Sequence, residues 1–208
     1  MLVFVVALIV VVQASFFEWV YHRYWLHRPW LPPQMFTAHT LVHHQLCKHD
    51  DTFHVHDEEQ EEALTFHWWG GPALIAINLI PWAGVWWPVR AMNVPGTLIV
   101  ASLITLVVTF SLYYAAYEGF HYLMHRPKVA WIEHSRPFKF LEQHHRIHHV
   151  HMGKNFNVVV PLADLMLGTL MLRDPAPPQT TPPAARVIAR RHSRYGRRLR
   201  EQGRTEAE

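Results

Sequence analysis

Three long stretches of the chain carry no charged side chain. Met1–Phe17 holds none, Trp68–Val89 is an uncharged run of 22 residues, and Ala91–Tyr117 is one of 27. A helix that crosses a bilayer takes roughly 20 mostly apolar residues, about 17 at the least, so each run is long enough to be a span. Thr97–Tyr117, TLIVASLITLVVTFSLYYAAY, contains neither Pro nor Gly and is the clearest. Asn78 and Pro81 interrupt the second run, so a kinked or re-entrant segment competes there with a full crossing. The first run extends through Trp19 and Val20. It lacks a basic leading region and a small-residue cleavage pattern, and reads as a retained membrane helix rather than a signal peptide.

Tryptophans gather where these runs end: Trp19, Trp25 and Trp30; Trp68 and Trp69; Trp82, Trp86 and Trp87. Indole rings favour the headgroup boundary, where an apolar body and one N–H are both accommodated. Basic residues set the orientation. Of 19 Lys and Arg, three (Arg23, Arg28, Lys48) lie between the first two runs, Arg90 lies between the second and third, and the other 15 follow the third. The positive-inside bias then puts residues 21–67 and everything after about 120 in the cytoplasm. Three crossings and one crossing plus a re-entrant hairpin give the same answer. With 17 % charged residues the chain also falls below the ~25 % of soluble domains.

Histidine follows the same map. Of 18, nine fall between residues 21 and 67, eight between 121 and 151, and one (His192) in the tail. Four clusters stand out: His22 and His27 in HRYWLH, His39, His43 and His44 in HTLVHH, His121 and His125 in HYLMH, and His145, His148 and His149 in HHRIHH. Residues three or four apart share a helix face about 5–6 Å apart, close enough to converge on a metal or on two adjacent metals. The five-residue gap between His22 and His27 needs a loosened turn or two different metals. Ten imidazoles exceed what one metal can use, whereas two metals at about five nitrogens each absorb them all. Imidazole suits Zn, Cu, Fe and Ni, so ligand type does not select among them. The single cysteine, Cys47, rules out a disulfide framework and a cysteine-based zinc or iron–sulfur site.

Carboxylates precede three of the clusters: Glu18 four residues before His22, Glu118 three before His121, and Glu142 three before His145. Ligating histidines commonly pass their second N–H to a carboxylate or a carbonyl, so these acids are expected as ring partners, with helix-end capping as the competing role. His144 and His151 are expected to support the ligands. His49, His54, His56 and His67 fall in an acidic stretch and are expected as solvated loop residues, His134 and His192 as surface residues.

The boxes HRYWLH, HTLVHH, HYLMH and HHRIHH, in this order and separated by these apolar runs, resemble the fatty acid hydroxylase/sterol desaturase superfamily of integral-membrane, histidine-box, di-metal oxygenases. The likeness covers roughly residues 10–172, since Asn155–Thr169 is similar to the stretch that follows the family's last box. HTLVHH departs from the pattern, with three residues rather than two before the double histidine. The resemblance implies an all-α integral membrane protein with about three transmembrane helices, or two plus a re-entrant one, under a cytosolic helical histidine-rich cap. It implies metal ligation by His22, His27, His39, His43, His44, His121, His125, His145, His148 and His149. Two metal ions, iron with zinc as a possible substitute, then serve O2-dependent hydroxylation or desaturation of a lipid such as a fatty acyl chain, a sterol or a carotenoid. No side chain attacks an unactivated C–H bond, so the metal carries that step.

The chain shows no Rossmann fingerprint and no cysteine set for its own reductase. Electrons are expected from an external cytochrome, ferredoxin or flavoprotein, and the location from a bacterial inner membrane or an endoplasmic reticulum. Residues 1–173 read as the membrane domain. Residues 174–208 read as a cytoplasmic tail, with five prolines in 175–183 and seven arginines in 186–200. A net charge of +3 gives no footprint for nucleic acid. A metal-handling membrane protein is the alternative of a different class. A transporter places ionisable ligands near the membrane midplane, and no histidine lies within the three runs.

Overall fold

The computed structural model describes residues 1–174 apart from 31, 49 and 51. The tail beyond Asp174, with His192, and also His49, lie outside the described residues. Among those described, the chain is all helical. α1 spans Leu2–Tyr21, α2 Pro33–Phe36, α3 His44–Leu46, α4 Gly70–Ala91, α5 Gly96–His125, α6 Ala130–Glu133, α7 Arg136–Val150 and α8 Leu162–Met166. Two π-helical segments, His22–Leu26 and Thr37–His43, and a 3-10 segment, Glu58–Ala63, complete it.

Two helices are long and apolar enough to cross a bilayer: α1 with its π-helical extension (Leu2–Leu26), and α5. Their apolar residues outnumber what one packed face can bury, so both keep an outer flank of exposed Leu8, Ile104 and Leu112. The buried flank is a stripe at helical spacing. Val6, Val10 and Ala14 of α1 recur every four residues and meet Leu106 and Phe110 of α5. At 30 residues α5 is about 45 Å long, against a hydrocarbon core of about 30 Å, so its last turns project beyond an apolar layer. His121 and His125 sit on that projecting end.

Of the alternatives for the second apolar run, the structure removes the re-entrant hairpin. α4 is one continuous helix through both Pro81 and Pro88, so no hairpin forms within it. Its apolar portion, Gly70–Trp86, is shorter than the other two. It is tied to α1 by polar bonds, Gln13 Nε2–H donating to the Asn78 carbonyl (2.9 Å) and Trp82 Nε1–H to Gln13 Oε1 (2.7 Å). At Gly71 it runs so close to α5 that a Cβ would meet the Tyr114 ring at 2.5 Å.

α7 starts at Ser135, whose Oγ accepts from the Phe138 N–H (3.3 Å), with Pro137 in the first turn where a missing N–H does no harm. Its inner face carries Phe138, Leu141 and Ile147 together with His144, His145, His148 and His149. Phe138 and Leu141 pack with Phe53, Tyr117, Leu123, Met124 and Val158 into a core beside the histidines.

Candidate metal centre

The four histidine clusters converge. Ligand atoms of His22, His27, His39, His44 and His148 lie within 4.8 Å of one another, and so do those of His43, His121, His125 and His145. His149, the tenth, joins the second group through its Nε2, 3.0 Å from that of His145. We call these groups A and B. Adjacent residues divide between them: His43 goes to B and His44 to A, His148 to A and His149 to B. The His44 and His149 rings stack at 4.3 Å along the seam.

The two π-helical segments account for the irregular spacings. An α-helix sets residues five apart about 140° from each other, whereas i→i+5 bonding brings them onto one face. His22 and His27 flank the π segment His22–Leu26, so both reach group A. The segment Thr37–His43 does the same for HTLVHH: His39 and His44, five apart, meet at 3.1 Å between Nε2 atoms. The extra residue in that box is absorbed by the wider turn.

The outer nitrogens are held by the backbone rather than by acids. Nδ1–H of His22 donates to the Phe156 carbonyl (2.5 Å), of His121 to Leu64 (2.9 Å), of His125 to Phe53 (2.8 Å), of His148 to Lys154 (2.7 Å) and of His149 to Cys47 (2.5 Å). His27 Nδ1–H donates to Thr40 Oγ (3.2 Å), whose own proton goes to the Leu26 carbonyl (2.7 Å). A carbonyl only accepts, so the proton is fixed on Nδ1 and the Nε2 lone pair faces inward. Nδ1 of His43, His44 and His145 is buried with no hydrogen-bond partner among the described residues.

The expected carboxylate partners act elsewhere. Glu18 accepts from the Val158 N–H, from Tyr113 Oη–H (2.7 Å) and from Asn157 Nδ2–H (3.2 Å). Glu118 accepts from the Phe66 N–H (3.2 Å), and Glu142 pairs with Arg146 and His54 (2.9 and 3.3 Å). None is bonded to one of the ten. His54 is therefore a bridging residue rather than a solvated one, while His56, His67 and His134 are exposed as expected. His144 binds Asp164 (3.2 Å) and His151 binds Asp174 (3.0 Å). Sequence reading missed Asp164, which is fully buried. Its oxygens accept from the backbone N–H of Phe156 (2.9 Å) and Asn157 (2.7 Å) and from the Thr169 hydroxyl (2.6 Å). It thereby anchors the strap that presents the Phe156 carbonyl to His22.

The donor set fits two metal ions. Nε2···Nε2 separations in group A are 2.9 Å (His22–His39), 3.1 Å (His39–His44) and 3.0 Å (His27–His148). In group B they are 3.2 Å (His43–His121), 3.0 Å (His125–His145) and 3.0 Å (His145–His149). A metal–nitrogen bond of about 2.1 Å puts two ligands at a right angle about 3.0 Å apart. His27 and His148 are the decisive pair. Each has its proton committed to Nδ1, so two bare lone pairs face each other at 3.0 Å. Burial, and for His27 also the neighbouring His148, holds the two rings down to about 2 and about 4, so neither takes up a proton near neutral pH. A shared cation turns that repulsion into coordination.

An apolar cavity opens between α1, α4 and α5, lined by Phe17, Tyr21, Phe66, Phe110, Tyr113 and Tyr117, with Glu18 in its wall. Tyr117 stacks on His121 (5.9 Å, 12°), so the cavity ends one ring away from group B. Tyr24, Phe120 and Tyr122, beside the histidines, are not among its lining residues. Tyr24 stacks on Trp30 and Phe120 packs on Phe138, while Tyr122 donates to Glu61 (2.6 Å). No family model, curated protein or solved structure matches the chain.

Proposed function

We propose that this chain is a membrane-bound di-metal oxygenase, with iron as the working metal, that hydroxylates or desaturates a lipid carbon. The observation that carries the reading is the gathering of ten histidines, with no carboxylate among the described residues in either group, into two adjacent groups at the ends of two apolar helices. The box resemblance supports the same reading. Metals bound there supply the oxygen-activating chemistry that side chains lack.

The protein's own part is to hold, orient and exclude. Backbone carbonyls and Thr40 lock six imidazoles in the ligating tautomer. Burial keeps bulk water from the group B rings. The aromatic-walled cavity accommodates an apolar chain and leads it toward His121. In this reading α4 completes a third crossing, the histidine cap and the C-terminal side face the cytoplasm, and a soluble electron donor approaches the cap from there. The burial of both groups weighs against a metal store, which needs exchangeable ligands.

Metal analysis of the chain purified in mild detergent tests the reading, with expected content of about two irons per chain. Incubation with membrane lipid, a reductant and labelled O2 is expected to yield products carrying the label or lacking two hydrogens. Failure to bind metal even after anaerobic ferrous reconstitution overturns the proposal.

A further inference from the structure

Residues 155–172, NFNVVVPLADLMLGTLML, contain one ionisable side chain in 18, Asp164, and that one is fully buried. The first part of the segment and Asp164 are buried, but the later part faces outward. Leu165, Met166 and Leu172 are 62–64 % exposed, and Leu167 is 46 % exposed. The flanking Lys154 donates its Nζ–H to the Gly168 carbonyl (3.2 Å) at the rim of this cluster. A cluster of large exposed apolar side chains, with its one charge held at the rim, marks a contact surface.

The hydrogen bonds register its depth. Ser15 Oγ–H donates to the Val160 carbonyl (2.7 Å) and its oxygen accepts from the Ala163 N–H (3.1 Å). Trp19 Nε1–H donates to Thr169 Oγ (2.8 Å). Ser15 lies within the uncharged run of α1, and Trp19 at its aromatic end. Four residues of helix separate them by about 6 Å, so the segment lies beside the last turns of α1, from the boundary to about one turn inside.

Irregular backbone survives at that depth only if its polar groups are satisfied within the protein. Here they are. The N–H groups of Phe156 and Asn157 go to Asp164, that of Val158 to Glu18, and that of Asp164 to Asn157 Oδ1 (3.1 Å). Asn155 and Thr169 pair through their backbones (3.1 Å), and Thr169 and Leu170 donate to the Asp164 carbonyl (2.9 and 3.0 Å). Met171 N–H donates to Asn155 Oδ1 (2.6 Å).

We propose that residues 158–172 are a monotopic membrane insertion, with Leu165, Met166, Leu167 and Leu172 embedded in the acyl chains of the same leaflet that receives the end of α1. Val12 and Leu8, exposed on α1, lie three and seven residues before Ser15 and so share the helix face that holds this segment. The proposal rests on α1 lying in a bilayer, but not on the identity of the metal or the reaction. It makes one strap both a lipid contact and the support of His22, through the Phe156 carbonyl.

The test uses the full wild-type chain in vesicles of phosphatidylcholine bearing a diazirine in the acyl chain, with digestion after Lys154 and Arg173 to release Asn155–Arg173 as one peptide. Photolabel is expected on that peptide, at Leu165–Leu167 and Leu172, at a level comparable to peptides of α1. The peptide Phe140–Arg146 from α7 is expected to stay at least tenfold lower. Label on α1 and α5 but not on 155–173 overturns the insertion alone. Label on none of them overturns the membrane reading beneath it. Cross-linking of this peptide to a second copy of the chain, with no lipid adduct, overturns the insertion in favour of a protein interface.

Discussion

Groups A and B are made of the same side chain and lie against each other, yet different parts of the chain hold them. Group B is clamped from the 47–64 loop: three of its rings donate to the carbonyls of Cys47, Phe53 and Leu64, and the Phe53 ring lies on His125 at 4.4 Å. Group A is clamped from the other side, by the Lys154 and Phe156 carbonyls of the strap and by the Thr40 hydroxyl. Four of the five A rings are fully buried and His27 is half-buried, while every B ring is buried. Two segments of irregular backbone thus each hold one histidine group. The two groups are therefore separately breakable.

Removing a ligand has the largest expected effect. His148→Ala is expected to empty group A and His145→Ala group B, each costing about one metal per chain and abolishing activity, whereas His192→Ala costs neither. Two metals retained in His148→Ala, measured by elemental analysis, would contradict the assignment of His148.

Next come the clamps. Phe53→Ala removes a fully buried ring and is expected to cost about 3–5 kcal/mol in chemical unfolding, with metal lost first from group B. Asp164→Ala leaves two backbone N–H groups without an acceptor and takes from the Thr169 hydroxyl its short one, leaving only the main-chain carbonyl at 3.5 Å. At about 1–3 kcal/mol each it is expected to be comparably destabilising, with group A losing metal first. If the same metal leaves first in both variants, the division of labour fails.

Acid should act on both groups of the metal-free chain. Burial holds His148 down to about 4, against 6.5 when unfolded, so both states are neutral above 6.5 and its contribution there is complete. As pH falls from 6.5 toward 4, the unfolded chain binds protons that the native one refuses, and stability drops by about 3 kcal/mol for this residue alone. Denaturant midpoints between pH 8 and 4.5 measure it; a flat profile would exclude neutral buried rings. The smallest effect is expected of Thr40→Val, which strips His27 of its acceptor. It should weaken group A about tenfold in competition with a chelator, and leave group B unchanged.

Much of this site was legible in the residue order. The ten histidines stand out by spacing, and the structure gathers them all. The five-residue step from His22 to His27 asked for a loosened turn or two different metals, and the π turn is that loosened turn. The partners of the outer nitrogens were misread. Glu18, Glu118 and Glu142 sit one helical turn from ligands, but each carboxylate is taken by other donors (Val158, Tyr113 and Asn157; Phe66; Arg146 and His54), and none reaches the ring edge. The atoms that do reach it are main-chain carbonyls of Phe53, Leu64 and Phe156, which any residue type would supply, so no side-chain pattern announces them.

The sequence by itself determined that this chain has helices long and apolar enough for a bilayer and that its histidines crowd at their ends, because both follow from composition along short segments. Only the tertiary structure decided how ten imidazoles divide five and five, and which nitrogen of each faces inward. It also decided that the run after the last box lies against α1 rather than away from it. Those depend on contacts between residues more than 100 positions apart, such as His22 with Phe156 and Ser15 with Ala163, where the hydrogen-bonding needs of buried backbone select one arrangement.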